Sequence, residues 1–210
     1  MHTDTQPALR VDIWSDYVCP FCYLQLPVLE QLQARYGAMI EWCWHAFELR
    51  PEPLTTPDPQ ADYLRMTWLQ AVLPMADRRQ LTMKIPPVQP HSRKALEAAN
   101  FARSQGRFGD FNRALFRAFF EYGQNIGEDQ VLLQLASATG LKPEALHLAL
   151  QEQQHRVAVS DDEALADTLG LRAVPVLLLR KASQPLSEAQ VLNGTLPLQR
   201  LTREIDALLA

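Results

Sequence analysis

Val11-Asp12-Ile13-Trp14-Ser15-Asp16-Tyr17-Val18-Cys19-Pro20-Phe21-Cys22-Tyr23-Leu24 is the stretch whose reading decides the fold. The apolar run from Val11 to Trp14 predicts a buried strand over Val11–Asp16. After the turn come Leu24, Leu26, Leu29 and Leu32, spaced for a helix from Pro20 to about Arg35, with Gly37 as its stop. Cys19 and Cys22 fall at the junction, a placement that marks a redox-active thiol pair. Helix N-termini carry unpaired N–H groups and partial positive charge, which stabilise a thiolate placed there. The second thiol, one turn further in, lies within disulfide reach of the first.

Working outward, Met39–Phe47 is rich in aromatic and β-branched residues and predicts a second strand. Arg50–Gln60 carries Pro51, Pro53, Pro57 and Pro59, can continue neither strand nor helix, and reads as a boundary. Helical periodicity follows in Asp62–Leu73, which is expected to end before Pro74. Leu81–Pro90 is irregular. Four further helices are expected at Ser92–Gln105, Phe108–Tyr122, Asp129–Thr139 and Pro143–Gln153, then one over Val157–Leu169 stopped by Gly170. The period then changes. Val174–Arg180 and Ala189–Leu192 read as strands, Asn193-Gly194 as a turn, and Pro197–Leu209 as a closing amphipathic helix.

The order is βαβ, a helical block, then α, β, β, α. This predicts an α/β thioredoxin fold whose two halves, 1–57 and 158–210, are separated by an all-helical insertion over 58–157. Pro175, opening the second half's first strand, is expected to form a cis bond to Val174 beside the thiol pair. Val174 would then offer its backbone to an extended substrate segment.

These residues resemble the DsbA-like thioredoxin superfamily, and within it the FrnE-type branch. The resemblance rests on Ser15–Tyr23 around the thiols, Phe47-Glu48-Leu49-Arg50-Pro51 after the second strand, Ala173-Val174-Pro175, and Asn193-Gly194 before the closing helix. It spans nearly the whole chain. It implies a dithiol–disulfide oxidoreductase with no bound organic cofactor, acting on protein or glutathione-type disulfides. Two departures stand out. Ala173 replaces a common Gly, and the dipeptide is Pro-Phe where the periplasmic oxidases have Pro-His. Phe21 cannot support a thiolate as an imidazolium does, so a strongly oxidising poise does not carry over.

Position assigns the roles. Cys19, at the helix start, is expected to be the exposed nucleophile, and Cys22 the buried resolving thiol of a mixed-disulfide exchange. Pro20 fixes the first helical turn, while Pro20, Phe21, Val174 and Pro175 are expected to contact substrate. Asp16 is either a proton relay to Cys22 or a turn residue. Two rival readings stay open. Cys43 and His45, two apart on a strand, share a face and with Cys19 and Cys22 would make a zinc set; otherwise Cys43 is buried packing and His45 a satisfied core or rim residue. A glutathione-dependent isomerase of the kappa or hydroxychromene-carboxylate type is the other, although those enzymes usually carry Ser at the Cys19 position.

The bulk numbers fit. The chain has 210 residues, 47% of them hydrophobic, enough for a sizeable core. A net charge of −4 with no basic run gives no reason to expect nucleic acid or an anionic membrane as partner. Met1–Arg10 is polar and lacks a signal peptide's apolar core, so the expected location is the cytoplasm.

Overall fold

A computed structural model describes residues 6–210; that part of the leader reading which falls on Met1–Thr5 lies outside them. Four strands form one sheet in the order β2-β1-β3-β4. They are β1 (Leu9–Ser15), β2 (Ile40–Ala46), β3 (Val176–Lys181) and β4 (Gln190–Asn193). β1 runs parallel to β2 and antiparallel to β3, with Trp14 opposite His45 on one side and Val176 on the other. The parallel pair is joined by α1 (Pro20–Tyr36), as a crossover requires.

Alternation along the strands divides the core in two. Val11, Ile13, Leu177 and Leu179 pack against Leu29 and Leu32 of α1 and Leu201 and Ile205 of α9 (Leu198–Leu209). From the other face, Trp14, Val176 and Leu178 join a larger cluster formed with the helices between β2 and β3. They include α4 (Arg93–Ser104), α5 (Phe108–Phe120), α6 (Asp129–Ala138), α7 (Pro143–Gln151) and α8 (Arg156–Thr168). Phe111, Phe116, Phe119 and Phe120 of α5 are fully buried there. Tyr23 stacks on Phe116 and Phe120, so this cluster reaches the turn that carries Cys22.

The helices stand close to where periodicity puts them, with one difference. The run beginning with α2 (Asp62–Thr67) does not end before Pro74. It widens into a π-helical turn, Trp68–Val72, and continues as α3 (Leu73–Arg78). Proline has no N–H and clashes with the carbonyl four residues back. The wider i→i+5 turn relieves that clash, and Trp68 and Val72 gain buried positions from it. Among the described residues no helix is long and apolar enough to cross a membrane.

Candidate active site

Cys19 is the N-cap of α1, extended at φ −89° and ψ 113°, and Pro20 opens the helix behind it. The Cys19 carbonyl accepts from the N–H groups of Cys22 (3.1 Å) and Tyr23 (3.4 Å), closing the first turn. The two thiols are therefore one turn apart, and both are free. The bond between Val174 and Pro175 is cis, and the Cys19 thiol donates to the Val174 carbonyl at 3.5 Å. Two chain segments 155 residues apart thus meet at one sulfur.

Contrary to the sequence expectation, Cys19 is not exposed: it is 3% accessible, the same as Cys22. The Val174 carbonyl covers its sulfur, and both thiols belong to the large apolar cluster. What separates them is surroundings. Burial pushes the Cys22 thiol well above its ordinary range, and the neighbouring Cys19 adds to this. The Asp16 N–H and the Ser15 hydroxyl pull the other way.

The loop after β4 clamps the two halves of the site together. Gly194 N–H donates to the Pro175 carbonyl (2.9 Å), and the Thr195 hydroxyl to the Phe21 carbonyl (3.3 Å). Leu196 N–H donates to Oε1 of fully buried Gln25 (2.6 Å). Gly194 has φ +75°, the left-handed conformation in which an L side chain is strained. Phe21 remains half-buried at the edge of this clamp.

Asp16 is fully buried, but its carboxylate is not aimed at the thiols. It accepts from Leu49 N–H (2.7 Å), Val18 N–H (3.3 Å) and the Ser92 hydroxyl. Burial outweighs these bonds and pushes its carboxyl up to about 6. Of Asp16, only the main-chain N–H acts on the Cys22 thiol, drawing its pKa down against burial. Beside it, Glu48 and Glu163 share the guanidinium of Arg93, at 2.5 and 2.8 Å. Burial, only partly offset by Arg93 and reinforced by Glu163, pushes Glu48 up to about 8.

The zinc set does not assemble. Among the described residues no group of three or more His, Cys, Asp or Glu side chains is placed to hold a metal ion. His45 is committed elsewhere: Nδ1 meets Asp162 at 2.6 Å and Nε2 meets Asp12 at 3.0 Å, with the ring stacked on Trp14 at 4.2 Å. Cys43 is half-buried on the same strand. Trp42 and Trp44 are packing residues, as their strand pattern suggests. Sequence reasoning missed Ser15, Gln25, Asp12, Asp162, Arg93 and Thr195. Asp12 had a local signal, a carboxylate inside an apolar strand, which is costly unless paired.

Comparison with known proteins agrees with this geometry. A family model described as a DSBA-like thioredoxin domain matches residues 10–206. The uncharacterized protein YwbO of Bacillus subtilis (strain 168) is 33% identical over 151 residues, covering 70% of this chain and 74% of that one. Among solved structures, the probable DsbA oxidoreductase SCO1869 from Streptomyces coelicolor superposes with a TM-score of 0.78 at 22% identity, over 95% of this chain and 89% of that one. A 2-hydroxychromene-2-carboxylate isomerase gives 0.77 at 16%, over 95% of each chain. The cytosolic disulfide reductase DsbM from Pseudomonas aeruginosa gives 0.72 at 22%, over 96% of this chain and 100% of that one. At these identities the structural likeness speaks for the fold alone. With the family model covering almost its whole length, the chain belongs to the DSBA-like thioredoxin domain family.

Proposed function

We propose that the protein is a thiol–disulfide oxidoreductase whose electrons are carried by Cys19 and Cys22, without an organic cofactor, on protein or small disulfide substrates. The observation that carries this reading is the meeting of both thiols at the start of α1 with the Val174–Pro175 backbone. Cys19 attacks the substrate disulfide, and Cys22 resolves the mixed disulfide. Pro20, Phe21, Val174 and Pro175 form the contact surface for the substrate chain. Asp16 ties the turn before Cys19 to the end of β2 and the start of α4. A cytoplasmic setting is part of this reading, as the structurally similar DsbM is by its name a cytosolic disulfide reductase. The isomerase reading shares the fold but gives Cys22 no task.

Equilibrating the full chain against a glutathione series, with alkylation and mass analysis, tests the reading. A single two-electron couple between Cys19 and Cys22 is expected, with a potential more negative than the ~−120 mV of a strong oxidant. Failure to form that disulfide at any poise contradicts the reading. Phe21→His should raise the potential by about 30 mV or more, because an imidazolium beside the pair stabilises its reduced, thiolate form. An unchanged potential would show that the dipeptide does not set the poise.

A further inference from the structure

The clamp after β4 is itself held by an arginine from the helices between β2 and β3. Arg79 follows α3, and the end of that helix fixes its main chain. Gln80 N–H donates to the Asp77 carbonyl and Leu81 N–H to the Ala76 carbonyl, both at 3.0 Å, around Gln80 at φ +54°. This double closure is a Schellman stop, and Leu81 packs onto the large apolar cluster behind it. From that base the Arg79 side chain bridges two segments far apart in sequence. Its Nη1 donates to the Leu24 carbonyl of α1, and its Nη2 to the Leu196 carbonyl at 3.3 Å. A planar guanidinium can span two acceptors in this way, where an ammonium presents a single head. Among the described residues no carboxylate pairs with Arg79. Burial, and then the like charge of Arg78, lower its pKa below the ordinary guanidinium value.

Leu196 is where this strap joins the active site. Its N–H is held by Gln25, the residue after Leu24. The two residues before it, Gly194 and Thr195, hold the carbonyls of Pro175 and Phe21. Pro175 follows Val174, whose carbonyl covers the Cys19 sulfur. We propose that Arg79 is a positioning residue for thiol exchange: it holds the 194–196 clamp against α1 and so fixes the Val174–Pro175 backbone over Cys19. This rests on the redox reading and extends it to a residue outside the site. In the first step Cys19 loses its proton to solvent and its sulfur attacks one sulfur of the substrate disulfide. The bond from Cys19 to that sulfur forms, the substrate S–S bond breaks, and the leaving sulfur is protonated by solvent. Cys19 is oxidised into the mixed disulfide and the leaving half is reduced. The fixed backbone has two effects on this step. It shields the sulfur from small molecules, and it aligns an extended peptide for attack. Loosening it should therefore move the two reactions in opposite directions.

The test treats reduced full-length protein either with iodoacetamide or with a disulfide peptide, quenches with acid over time and maps the modified cysteine by mass spectrometry. Wild type, Arg79→Ala, Arg79→Lys and Arg78→Ala are compared. In Arg79→Ala, alkylation of Cys19 should quicken by about tenfold, the scale of one lost hydrogen bond to a charged group, while mixed-disulfide formation with the peptide slows by about tenfold. Arg79→Lys should fall between Arg79→Ala and wild type. Arg78→Ala removes the neighbouring charge and leaves the strap, so it should match wild type with both reagents. Cys43, on β2, reports general loosening and should alkylate at the wild-type rate throughout. A rate that fails to move in Arg79→Ala, for either reagent, overturns the proposal. So do two rates that move in the same direction, a quickened Cys43, or an equal effect of Arg78→Ala, which would assign the change to charge. If wild type forms no mixed disulfide on Cys19, the redox reading falls, and alkylation of Cys19 then decides by itself whether Arg79 holds the cover.

Discussion

Cys19→Ser is expected to reduce turnover of a disulfide peptide by on the order of 10³-fold or more while leaving the protein folded. Sulfur attack on sulfur is the step removed, and a serine hydroxyl cannot replace it. The fold should survive for a specific reason. Cys19 is the N-cap of α1 and makes no side-chain capping bond there. Serine is among the best N-cap residues, so it can bond the free N–H groups of the first turn. The variant should therefore match or exceed wild type in thermal stability, which separates lost chemistry from lost structure. Retention of most of the activity would move the nucleophile elsewhere.

Asp162→Ala should cost about 2 kcal/mol of stability, the scale of leaving part-buried hydrogen-bond partners unsatisfied. Asp162 lies on α8 and fastens it to the end of β2. Its carboxylate meets His45 Nδ1 at 2.6 Å and accepts from Ala46 N–H at 2.8 Å. Removing it strands a main-chain donor and one nitrogen of a ring that burial already penalises. The pH dependence has a definite sign. Burial lowers the pKa of His45, but the hydrogen bonds and charges of Asp12 and Asp162 outweigh it, so the net shift is upward. Its contribution is full below the ordinary histidine value of ~6.5 and is lost as pH rises through the raised value. Asp12 behaves oppositely. Burial raises it, but His45, Arg10 and Arg180 bring it below the ordinary carboxylate range. Its contribution is full above ~3.9 and fades as pH falls through the depressed value. Wild type should thus lose stability on both sides of that window. Asp162→Ala should lose less on the alkaline side, because one of the two groups raising His45 is gone. Denaturant midpoints across pH check this; equal alkaline slopes would contradict it.

Much of the fold was legible because its signals are local. Apolar runs, Pro143 at a helix start and glycines after helix ends are read within a few residues. Cys19, Cys22 and Pro175 stood out because their chemistry depends on one turn of helix and one strand start. The continuation through Pro74 was not legible. It runs through a π turn that buries Trp68 against Phe120 of a distant helix. Nor was the covering of Cys19, which comes from a carbonyl 155 residues away. Asp162 meets His45 across 117 residues, and nothing near His45 announces a partner.

The central claim is that Cys19 attacks and Cys22 resolves, although both thiols are equally buried. Mass spectrometry of Cys22→Ser and Cys19→Ser after exposure to an oxidised peptide tests it most directly. Cys22→Ser should accumulate a one-to-one mixed disulfide mapped to Cys19, because the resolving thiol is gone. Cys19→Ser should remain free of adduct, since the remaining thiol is enclosed and pushed well above its ordinary range. Equal adduct in both variants, or adduct on Cys22 alone, would contradict the division of labour.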